Sequence, residues 1–76
     1  IVRFLYYPNP VNNILTLKAQ KNIGNVTVYN MLGQAVITAQ PKALNSDLNM
    51  SALETGTYFV QVTIANVTKN VRVIKQ

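Results

Sequence analysis

The stretch from Leu53 to Lys75 leaves the chain the fewest choices of fold. Tyr58, Val60, Val62 and Ile64 alternate with Phe59, Gln61 and Thr63, a polar turn runs from Ala65 to Asn70, and Val71 and Val73 then resume the apolar row. A period of two is that of a strand with one buried face, so the pattern predicts an antiparallel hairpin. A two-residue loop at Ala65-Asn66 pairs Val60 with Val71 and Tyr58 with Val73. A four-residue loop from Asn66 to Lys69 pairs Ile64 with Val71 and Val62 with Val73. Either keeps the apolar face intact, whereas three residues without a bulge turn the two rows to opposite sides. The longer loop is the expected one, because it removes Lys69 from the buried row.

The chain before this hairpin reads as more of the same. Ile1 to Tyr7 is a first strand, with Val2, Phe4 and Tyr6 on one side and Arg3, Leu5 and Tyr7 on the other. Pro8 and Pro10 stop it, since neither can donate to a ladder and each biases the preceding residue toward extended geometry. Ile14 to Lys18 alternates with Leu15 and Leu17 inward, Ala19 to Asn25 is a polar connection, and Asn25 to Asn30 alternates again with Val26 and Val28 inward. Asn30-Met31-Leu32-Gly33 is a turn, with Asn at the first position and Gly33 free to take a positive φ. Gln34 to Ala39 is the next strand. Pro41-Lys42-Ala43 breaks it, Asn45-Ser46-Asp47 punctuates a second time, and Leu48 and Met50 lie on a short strand. Ser51-Ala52-Leu53-Glu54 reads either as one helical turn of capping-box type or as an irregular corner with Leu53 plugging the core. The count is seven short strands and no sustained helical period. This predicts an all-β fold, a seven-stranded antiparallel immunoglobulin-like sandwich, with a small closed barrel as the alternative.

Composition narrows function more than fold. At 76 residues the chain makes one domain that buries only about 60% of its unfolded surface. There is no Cys and no His, and only Asp47 and Glu54 are acidic. Disulfides, thiolate metal sites, imidazole bases and paired-carboxylate hydrolysis therefore lack their groups, and no catalytic residue, metal or cofactor is expected. The net charge of +5 is spread along the length. Nucleic-acid binding needs a basic face interleaved with exposed aromatics, and here the aromatics fall mostly on buried parities. A start at Ile1 without an initiator Met or signal stretch suggests a piece cut from a longer protein.

Three segments carry a family resemblance when taken in order: Tyr7-Pro8-Asn9-Pro10 with Asn13 to Leu17, Val26 to Gln34, and Leu53 to Val60 with its basic ending. Together they resemble the type A C-terminal sorting domain of the type IX secretion system of Gram-negative bacteria, over nearly the whole chain. Asn30 stands where the family often has Asp, Thr55 where it often has Pro, and Gln76 where a terminal Lys is common. The resemblance implies an immunoglobulin-like sandwich at the end of a cargo protein, a substrate rather than an enzyme. Its implied partners are the outer-membrane translocon, its shuttle proteins and a sortase that cleaves upstream of or near Ile1. Its implied route is the periplasm, then the outer-membrane surface or the medium.

The family-motif residues are Pro8, Asn9, Pro10, Gly33, Gly56 and Tyr58. Pro8 to Pro10 read as a stiff corner, the two glycines as conformational, and Tyr58 as a core residue whose hydroxyl needs a partner or the surface. The expected partner-binding set is Phe59, Lys69, Arg72, Ile74 and Lys75, with Phe59 and Ile74 forming an apolar patch on the outward face of the hairpin beside Arg72 and Lys75. An exposed edge strand gives a route to a homodimer. The alternative function is a structural or carbohydrate-binding immunoglobulin-like module of an extracellular enzyme or adhesin.

Overall fold

The computed structural model describes residues 3–76. Six strands form one continuous antiparallel sheet: β1 (Phe4–Tyr7), β2 (Ile14–Tyr29), β3 (Ala35–Ala39), β4 (Ala43–Asn49), β5 (Gly56–Ile64) and β6 (Val67–Lys75). No helix lies among the described residues. The alternation of β1 is as the sequence suggests, with Phe4 and Tyr6 half-buried and Leu5 and Tyr7 exposed, while the inward placing of Val2 lies outside the described residues.

The difference from seven strands arises in β2. Two alternating segments separated by polar residues are instead one strand of 16 residues. Leu15, Leu17 and Ile23 face the core on odd numbers, and Val26 and Val28 face it on even ones. A bulge reconciles the two parities: Ile23 pairs with Ile64 and Asn25 with Thr63, so Gly24 is the extra residue. An inserted residue flips the face and bends the strand, which is how one strand serves two parts of a curled sheet. The N-terminal half of β2 lies between β1 and β4, and its C-terminal half between β3 and β5.

A second correction concerns Asn45-Ser46-Asp47. These residues do not punctuate the chain; they pair with Lys18, Leu17 and Thr16 inside β4. A polar sequence suits a strand whose far edge meets solvent. Only Leu48 of β4 is buried, opposite Leu15. Ser51 to Glu54 is the irregular corner and not a helical turn. Asn49 Oδ1 accepts hydrogen bonds from the Ser51 amide and hydroxyl, and Leu53 packs partly buried against the core.

The β5–β6 hairpin has the two-residue loop, not the longer one. Val60 pairs with Val71, Tyr58 with Val73 and Ile64 with Val67. Ala65 and Asn66 have φ of 51° and 65°, the two positive values of the turn whose twist matches that of the flanking strands. Lys69 consequently stands opposite Val62 in the inward row but at its exposed end, where a long stem can carry the ammonium into water.

Candidate recognition surface

The outer face of β5 and β6 follows from the register. Phe59 lies opposite Arg72 and Ile74 opposite Thr57, so the aromatic ring and the isoleucine are diagonal neighbours. They are 40% and 43% exposed. On the other flank of β5, Tyr29 of β2 pairs with Phe59, and its hydroxyl donates to Gln61 Oε1 at 3.3 Å. The patch is thus Tyr29, Phe59 and Ile74 with Arg72 beside them, on three adjacent strands rather than the expected two.

Two residues of the expected set are elsewhere. Lys75 continues the odd-numbered inward row of Val71 and Val73, faces Gly56, and is only 7% exposed, with Nζ donating to the Gln76 carbonyl at 2.8 Å. Strand parity overrules the expectation that it joins Ile74 outside. Lys69 is exposed but belongs to the opposite face and the opposite end of the hairpin.

The Pro-Asn-Pro corner has a direct bond to this surface. Asn9 Nδ2 donates to the Arg72 carbonyl at 3.3 Å, and the Ile74 amide donates to Asn9 Oδ1 at 3.0 Å. Two residues on, the Val11 amide donates to the Ile74 carbonyl at 2.7 Å, and the Gln76 amide to the Val11 carbonyl at 2.8 Å. Val11 therefore makes an isolated parallel bridge with Lys75, and Asn9 reaches the same edge of β6 through its side chain. Pro8 and Pro10 have no amide hydrogen, so the Asn9 side chain supplies the donor and acceptor that a strand peptide would. Both prolines follow cis peptide bonds. The edge of β6 is covered from Arg72 to Gln76 and, among the described residues, has no backbone partner nearer the loop.

The remaining motif residues hold turns. Gly33 has φ of 83°, and Asn30 braces the same turn by accepting from the Leu32 and Gln34 amides at 2.9 and 3.0 Å and donating to Gln34 Oε1. Gly56, at φ 157°, opens β5. The Tyr58 hydroxyl finds its partner in the Glu54 carbonyl at 2.7 Å and ties down the corner before β5. Sequence reasoning overlooked Met31 and Leu32, which stand 66% and 83% exposed at the tip of the β2–β3 hairpin. Their signal was available, since the central residues of a type I turn between two strands face water. Among the described residues no group of three His, Cys, Asp or Glu could hold a metal ion.

A family model described as the secretion system C-terminal sorting domain matches residues 5–76. Among solved structures, the chain is similar to part of PorZ, an essential bacterial surface component of the type-IX secretion system of Porphyromonas gingivalis. The TM-score is 0.75 and the sequence identity 18%, over 99% of this chain. The match spans 11% of the PorZ chain and bears on fold alone. No curated protein matches significantly.

Proposed function

The chain belongs to the type IX secretion system C-terminal sorting domain family, and we propose that it is a non-catalytic address label read as a folded surface. In this reading it directs an upstream cargo from the periplasm through the outer-membrane translocon, is carried by the shuttle proteins of that system, and is removed by a sortase cutting upstream. The cargo ends on the outer-membrane surface or in the medium. The curled sheet corresponds to the immunoglobulin-like sandwich of the family, a reading supported by the Tyr58 hydroxyl that ties back to Glu54 as in the tyrosine corner of such sandwiches.

The observation that carries the proposal is the outward pair of Phe59 and Ile74 beside Arg72, large apolar side chains held in water by a regular hairpin when the inward row already supplies a core. Exposed apolar area with a charged neighbour is the composition of a partner site. The test is a Phe59→Ala, Ile74→Ala double variant on a secreted reporter. The cargo should accumulate in the periplasm while the isolated variant keeps its β-sheet circular dichroism. Normal delivery to the surface would sink the proposal. Truncation from Val71 is a poorer test, because it also removes Val73 from the core.

A further inference from the structure

The sheet path runs β1-β2-β5-β6, so β1 and β6 are its two free ends, and curling brings them toward each other. Their seam is zipped at one end by Asn9 and Val11. Toward Arg3 and Lys69 it opens into a groove of about 610 Å³. Phe4, Tyr6 and Val71 line it and pack from there against the core, while Arg3, Lys18 and Lys69 supply exposed cationic side chains.

Three features define what fits. No Cα of β1 comes within 8 Å of a β6 Cα, and one strand inserted between two others needs about 9.6 Å, twice the strand spacing. The main-chain groups of Arg72 and Ile74 point into the seam, where Asn9 and Val11 meet them. By the alternation of an antiparallel ladder, those of Asn70 and Thr68 point the same way, and no backbone partner meets them among the described residues. Finally, three of the chain's seven cations line the groove and neither of its two acids does.

We infer that this seam is a binding site for one extended acidic segment of a partner protein, added as a strand along Thr68 to Asn70. Alternate apolar residues of that segment rest on Phe4, Tyr6 and Val71, its outward carboxylates meet Arg3 and Lys18, and Lys69, at the exposed end of the inward row, reaches them past the strand edge on its long stem. Strand addition supplies affinity through the main chain and selectivity through alternate side chains. The site is separate from the Phe59 patch and does not depend on the sorting proposal.

The test is titration of the isotope-labelled chain with an acetylated hexapeptide alternating glutamate and valine, followed by amide NMR. The Thr68 and Asn70 amides should shift and exchange more slowly. Binding should weaken severalfold when salt rises from about 0.05 to 0.5 M. It should weaken about fivefold or more in Lys69→Glu, a substitution at an exposed position, and stay unchanged in Lys42→Glu. A lysine-valine peptide and a backbone N-methylated peptide should not bind. Four results would overturn the inference: equal binding of the lysine peptide; shifts confined to the β3 or β4 edges; concentration-dependent protection of Thr68 and Asn70 without peptide, which would make the occupant a second copy; or protection of the same amides by residues 1–2 of the free chain.

Discussion

Replacing Asn9 by alanine separates a stiff corner from a clamp. If Pro8 and Pro10 alone fix the turn, the amide between them is dispensable. If the side chain stands in for a strand peptide, its removal frees the end of β6. The two bonds lost are the 3.0 Å contact from the Ile74 amide and the 3.3 Å contact to the Arg72 carbonyl. Each net hydrogen bond is worth about 0.5–1.5 kcal/mol. Asn9 is exposed, so water can satisfy both orphaned backbone groups and the low end applies, giving about 1 kcal/mol in all. Against the roughly 4–11 kcal/mol expected for a domain of this length, that is a measurable fraction. With a urea m-value of about 1 kcal/mol/M, the midpoint should fall by about 1 M, and Tm by about 4–8 °C. Hydrogen exchange at Ile74 gives the local reading: its amide should lose protection in Asn9→Ala and retain it in Asn9→Asp, which keeps the acceptor. Asn12→Ala, a change at a neighbouring exposed position, should alter neither. An unchanged midpoint together with an unchanged Ile74 exchange rate in Asn9→Ala would refute the clamp.

Two turn positions give further checks. Gly33→Ala places a Cβ at φ 83°, where open space surrounds it but the backbone itself is strained; the expected loss is about 1–2 kcal/mol in chemical denaturation, and a stability equal to the parent would contradict it. Tyr58→Phe removes the 2.7 Å bond to Glu54 while keeping the ring in the core, so about 1 kcal/mol should be lost, with faster exchange confined to the corner before β5; an effect on the β2–β3 turn instead would speak against that assignment.

The inward rows were legible because period-two alternation is a direct consequence of one-sided burial. Leu15, Leu17, Val26, Val28, Val60, Val62 and Val73 are all buried as read. Asn30 and Gly33 were legible too, because a type I turn followed by a positive φ draws on very few residue types. Continuity of β2 was hidden. Lys18 to Asn25 is mostly polar around the buried Ile23, the strand neighbours change there, with the pairing to β4 irregular between Lys18 and Ile23, and polarity in the middle of a strand looks like a loop. Loop length at Ala65-Asn66 went wrong by treating Lys69 as a burial problem, when the exposed end of a row accepts a lysine stem. Lys75, expected beside Arg72 and Ile74, instead follows the odd-numbered parity of Val71 and Val73 to the inner face. The role of Asn9 rests on a contact across 65 residues of sequence, and no local pattern encodes that, although a side-chain amide between two prolines offers the only side-chain hydrogen-bonding group of that corner.

The Phe59 surface depends on both ends of the chain at once. Ile74 projects outward because its peptide is held on the seam side by Asn9 and Val11 and its strand is held on the other side by β5. Phe59 is fixed in turn by β5 lying between β2 and β6, with Tyr29 alongside. A two-stranded hairpin alone is marginally stable in water, and the segment from Leu53 to Gln76 taken by itself lacks the β2 flank, the residue 9–11 flank and the Leu15, Leu17 and Val28 side chains that back its inner face. The residues of the proposed address are therefore near the C-terminal end of this chain, but their geometry is a property of the folded sheet: under that proposal, a receptor that reads Phe59, Arg72 and Ile74 in this arrangement also reads whether the Pro8 to Val11 segment has docked, and so discriminates the folded domain from an unfolded tail of the same sequence.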